Sequence, residues 1–132
     1  MLNSRRKSFT VAGFTLIELL VVMAIIATLL SIAAPRYIRS IDDARQAVLK
    51  SNLAQMREAI DHFHADRGSY PQVLSDLVEK NYLRSIPIDP MTESAQTWQV
   101  LPAPGDDANG SVYDVRSGAT GTSRLGEAYA NW

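Results

Sequence analysis

The chain of 132 residues has no cysteine. Disulfides, thiolate metal sites and cysteine nucleophiles are therefore excluded, although an oxidising compartment is not. It also has no excess of one charge: 13 basic and 14 acidic side chains leave a formal net charge of -1. A polycationic surface for phosphate backbones is missing, so nucleic acid is not an expected partner. The only histidines, His62 and His64, stand two apart on different faces of a helix and cannot share a metal. They read as solvated or interfacial groups. No glycine-elbow nucleophile, phosphate-binding loop, calcium-hand loop or internal repeat is present. With 46% apolar and 20% charged residues the chain is globular in composition and too short for a multidomain enzyme. We expect no enzyme, no catalytic residues and no metal-binding residues.

What the chain does have is strong segregation. Residues 1–13, MLNSRRKSFTVAG, carry Arg5, Arg6 and Lys7 and no acid, whereas residues 14–34 hold one charge, Glu18, in twenty-one positions. At about 1.5 Å per residue such a run spans about 31 Å as a helix, close to the roughly 30 Å hydrocarbon core, while the apolar region of a secretory signal is about 7 to 15 residues. Length favours retention in a membrane. The basic leader should stay cytoplasmic, leaving everything after Pro35 on the far side. A twin-arginine export signal at Ser4-Arg5-Arg6 fits less well, because the following run is longer and more apolar than such signals favour. A plain single-pass anchor for a periplasmic binding module is the stronger rival.

From Pro35 to about Asp66 the apolar block becomes a stripe: Ile41, Val48 or Leu49, Leu53, Met56, Ile60 and Phe63 recur at mostly three- and four-residue intervals, the mark of a helix with one apolar face. Between Ala34 and Gly68 only Pro35 opposes a helix, and it can kink one without ending it. The pattern predicts one long helix over about 14–66, with a rise on the order of 80 Å. A domain of this size cannot bury that length, so half of it must bury against something else. Gly68 to Pro71 then makes a turn, Leu74, Leu77 and Val78 mark a short helix ended by Asn81, and two strands, 97–101 and 111–115, form a hairpin. Asp106 and Asp107 solvate its loop. Residues 118–132 read as an irregular loop pinned by Trp132.

Glu18 is the informative charge. A carboxylate in hydrocarbon costs about 2.5 to 3.5 kcal/mol even on the lenient insertion scale, so it either snorkels to the nearby interface or has a partner and a purpose. Gly13-Phe14-Thr15-Leu16-Ile17-Glu18-Leu19-Leu20-Val21-Val22 resembles the processing signal of type IV pilins and type II secretion pseudopilins. The resemblance implies that a prepilin peptidase cuts between Gly13 and Phe14 and methylates the new amino terminus. Glu18 would then attract the amino terminus of Phe14 in a neighbouring subunit, a pair worth most in low dielectric. Pro35 matches the proline at which helices of this family bend or partly melt; a simple kink where the helix leaves the membrane is the other reading and is compatible with the same function. Removing residues 1–13 takes the side-chain balance from -1 to -4 and removes the cytoplasmic anchor.

The fold implied is α+β and pilin-like. One long N-terminal helix, its hydrophobic half transmembrane, packs on a small C-terminal head with a short helix and a small antiparallel sheet. The divisions are a leader (1–13), a transmembrane or filament-core helix (14–34), its amphipathic continuation (35–66) and a periplasmic head (67–132). The core stock of the head is Leu74, Leu77, Val78, Tyr82, Leu83, Ile86, Trp98, Val100, Val112 and Val115. The stretch Tyr70 to Pro90, Tyr113 to Gly118 and the terminal Asn131-Trp132 are similar to the major pseudopilin of type II secretion, and the missing cysteine separates the chain from disulfide-closed type IV pilins. The resemblance implies a single-pass protein of the bacterial inner membrane with its head in the periplasm, polymerised into a pseudopilus that supports protein secretion. Its partners would be further copies, other pseudopilins, the prepilin peptidase, an inner-membrane assembly platform and, before assembly, membrane lipid. A type IV pilin for adhesion, motility or DNA uptake is the alternative.

In that family calcium sits in the C-terminal loop, held by aspartates and backbone carbonyls. Here no aspartate follows Asp114, Thr120 stands near where a ligand carboxylate would be, and Glu127 alone offers a charge. A cofactor is not required on this reading and Ca2+ in the loop is doubtful; Arg124 and hydrogen bonds to Trp132 could fix the loop without metal. Asp42 and Asp43 could form charge pairs with Arg39, Arg45 and Arg57 between stacked subunits.

Overall fold

A computed structural model describes residues 13–105 and 111–132. Most of the leader, and Asp106 and Asp107 of the hairpin loop, lie outside the described residues. The elements are α1 (Leu16–Arg67), α2 (Asp76–Glu79), β1 (Gln99–Leu101), β2 (Asp114–Arg116) and a closing 3-10 turn at Tyr129–Asn131. Two compact units divide the chain, Met1–Arg39 and Ser40–Trp132.

In the first unit the start of α1 is set by Thr15, whose hydroxyl accepts the backbone N–H of Glu18 at 3.1 Å. Its carbonyl accepts the N–H of Leu19. Thr15 is thus the N-cap and Glu18 stands three residues on, where its charge also suits the helix dipole. Pro35 lies inside α1 without ending it. Every described residue of this unit is exposed. Thr28 and Ser31 donate their hydroxyls to the carbonyls of Ala24 and Ala27, both at 2.8 Å, so these polar groups ask nothing of an apolar environment.

The second unit is built on the apolar stripe. Leu49, Leu53, Met56, Ile60 and Phe63 are buried, with Ala59 between them. Their four-three-four-three spacing keeps one face of α1 against the head. The structure resolves the choice at the start of the stripe: Leu49 is fully buried and Val48 exposed. Ile41, expected in the stripe, is exposed as well. Against this face pack Leu77, Trp98, Val112 and Val115, with Leu74, Tyr82, Leu83 and Ile86 at the margin. Val100, expected in the core, is exposed.

Gly68 ends α1 in a left-handed conformation (φ 71°), with its N–H on the carbonyl of His64 at 2.8 Å. Asn81 repeats the device at φ 66°, returning the N–H groups of Tyr82 and Leu83 to the carbonyl of Leu77. β1 and β2 pair antiparallel with Val100 opposite Val115. The hairpin is the one expected, but β1 starts two residues later and β2 is displaced towards Arg116. Val112 is occupied otherwise, since its N–H bonds the carbonyl of Pro71 at 2.7 Å.

Candidate functional site

Two places in the chain carry unusual chemistry. At the amino-terminal one, Gly13 and Phe14 precede the helix and Phe14 is 87% exposed. A Cβ at Gly13 would meet nothing within 4 Å, so packing does not require a glycine there. Glu18 follows one turn into α1, exposed among apolar side chains. From Phe14 to Ile32, thirteen large apolar side chains are exposed. At about 1.5 to 3 kcal/mol each, leaving them in water would forgo roughly 20 to 40 kcal/mol, more than the typical net stability of a domain, about 5 to 15 kcal/mol. The segment therefore needs lipid or protein around it. By length and composition α1 can cross a membrane. Gly13, Phe14 and Glu18 lie within six residues of sequence and share one helix start; Pro35 stands far along the same helix.

The other place is in the head, at Arg57 on α1. Its Nε donates to Asp114 Oδ1 at 2.8 Å, and its Nη2 donates to the backbone oxygens of Val115 at 3.0 Å and Trp132 at 2.5 Å. Within the chain, then, Arg57 is paired inside the head. Asp43 is likewise paired internally, 3.7 Å from Arg124. Lys50 Nζ sits 4.5 Å from the centre of the Trp132 ring, and the rings of Trp132 and Tyr129 meet nearly at right angles with centres 5.1 Å apart. Trp132 does pin the last segment, as its composition suggested. Sequence reasoning missed Arg57 as the hub, because its partners lie 57 to 75 residues away.

A third feature is structural. Asp89 is fully buried; Oδ1 accepts the N–H of Met91 at 2.8 Å and Oδ2 accepts a short hydrogen bond from Ser117. Ser117 in turn accepts the N–H of Ala119. The carboxylate stitches the 89–94 turn to the end of β2, with each oxygen satisfied. His62 lies 3.5 Å from Glu58 in an exposed pair, and His64 stacks on Tyr70 at 4.2 Å.

Calcium takes about six to eight oxygen ligands, usually with several carboxylates. After Asp114 the sequence offers one carboxylate, Glu127, which is exposed in a groove it shares with Lys50 and Arg57. Among the described residues no three His, Cys, Asp or Glu side chains come together. This donor set does not fit the ion.

An exposed apolar helix start with a capped Thr-x-x-Glu, joined to a small α+β head, defines a pilin-like subunit. Residues 4–34 match the family described as the prokaryotic N-terminal methylation motif, ending one residue before Pro35. Over 92% of the chain and 94% of the relative, the sequence is 30% identical to type II secretion system core protein G of Pseudomonas aeruginosa. It is 28% identical to the protein of that name in Escherichia coli K12, over 91% and 90%. The chain belongs to the family of type II secretion system core protein G. Similarity to the type IV major pilin PilA of Myxococcus xanthus, 35% identity, reaches only 49% of the chain and 30% of that protein. No solved structure gives a significant match.

Proposed function

We propose that the chain is the precursor of a pseudopilus subunit, cut after Gly13 and N-methylated at Phe14 by a prepilin peptidase. It is stored as a single-pass protein of the inner membrane with the leader cytoplasmic and the head periplasmic. It is then polymerised with further copies and other pseudopilins, on an inner-membrane assembly platform, into a filament that serves protein secretion. The reading needs no catalytic group in the chain. The observation that carries it is the exposed segment from Phe14 to Ile32 behind the methylation motif. Glu18 is the register group: it accepts the ammonium of Phe14 from the next copy, and each charge is neutralised only when the copies are correctly staggered. Pro35, whose missing N–H leaves the Ser31 carbonyl without its helical donor, is where α1 yields on assembly.

Intact-mass spectrometry of the membrane-extracted protein tests the reading. We expect a single species of 119 residues carrying one added methyl group. A full-length mass in cells with an active peptidase would overturn it, and Gly13 replaced by a bulky residue should restore that full-length mass.

A further inference from the structure

The oxygens gathered around Arg57 are the carboxylate of Asp114, the backbone carbonyl of Val115 and a main-chain oxygen of Trp132. Carboxylate and main-chain oxygens are the ligand types that a hard cation takes, but three are too few for calcium, which takes about six to eight. Here a guanidinium sits among them, and its planar fork reaches three acceptors from one anchored stem. We propose that Arg57 fastens the C-terminal loop in the role that a bound calcium ion would otherwise fill, so that the head holds its loop closed with divalent cations removed.

The arrangement extends along α1. Asp43, Gln46, Lys50 and Arg57 fall at intervals of three, four and seven, which places them on one helix face. Each meets the last segment: Asp43 the guanidinium of Arg124, Gln46 the hydroxyl of Tyr129 at 3.4 Å, Lys50 the Trp132 ring, and Arg57 both ends of the loop. The two outer contacts are exposed or long and contribute little. Arg57 is different. It holds Val115 at the strand and Trp132 beyond the loop, so a single side chain closes the whole of 116–132, as a metal ion would. Glu127 adds no competing demand, since it lies open beside Lys50 and Arg57. The inference uses contacts of the head alone and stands whether or not the chain polymerises.

The test is thermal unfolding of the processed chain in detergent, followed by tryptophan fluorescence, in excess EGTA and in millimolar calcium chloride. The two midpoints should coincide. Arg57→Gln, too short to reach the three oxygens, should lower the midpoint equally in both buffers, by on the order of 5 to 10 °C, and should speed hydrogen exchange across 117–132. Arg57→Lys should fall between. A calcium-dependent rise of several degrees in the unaltered chain would overturn the proposal, as would Arg57→Gln with unaltered midpoint and exchange. Should Arg57→Gln not fold, Asp114→Asn leaves both main-chain contacts in place: a smaller, calcium-independent fall supports the clamp and a fall restored by calcium refutes it.

Discussion

Leu29 and Leu53 are the same side chain in the same helix, yet the first is 61% exposed and the second 2%. Around Leu29 the apolar residues fill every face of α1. Around Leu53 they keep to one stripe, and charged and amide side chains take the rest. The stripe is completed by the chain's own head, but the block has more apolar surface than this chain covers. A helix apolar on all sides is built for lipid or for other helices, and a striped one for a domain. The difference between the two regions is thus a difference of solvent written in residue period, and each should fail independently of the other.

The largest effect expected is from Met56→Lys, which puts an unpartnered charge where the side chain is fully buried. Such a change costs more than about 4 kcal/mol, so the head should lose its cooperative melt while leader removal, read by intact mass, continues. Ile25→Lys is the converse. It should oppose insertion or burial by about 2.5 to 3.5 kcal/mol, seen as poor membrane retention, and leave the melting midpoint of the head unchanged in detergent. A lowered midpoint there would break the separation of the two regions. Asp89→Ala removes the acceptor shared by Ser117 and Met91 and should cost the head about 1 to 3 kcal/mol in denaturant unfolding. Arg124→Ala breaks a pair whose side chains are 58% and 66% exposed at 3.7 Å, and stability should move by no more than about 0.5 kcal/mol.

Local signals made most of the first region legible. The unbroken run from Phe14 to Ala34, the lone Glu18 and the long helix through Pro35 are periodicity and composition. Thr15 as cap was present in the Thr-x-x-Glu spacing, though it is the structure that draws it out. In the head, the helix end at Asn81 and the hairpin could be read from turn residues. The strand limits could not, because pairing of Val112 with Pro71 is a tertiary choice that takes the residue from the ladder. Val100 was misplaced for a related reason: it stands opposite the buried Val115 in the ladder, yet the core covers Val115 and leaves Val100 exposed, and alternation along one strand cannot say how far the core extends. Arg57 was invisible as a clamp, since a basic residue on a polar helix face looks solvated until the loop that returns to it is folded. Asp89 and Ser117, 28 residues apart, are hidden in the same way.

The account turns most directly on Glu18→Ala. In cells with the secretion machinery active, the altered chain should insert, lose residues 1–13 and melt in its head like the parent, yet form no filaments and yield no higher oligomers on cross-linking. Filaments of normal yield and register from this variant would contradict the role given to the carboxylate.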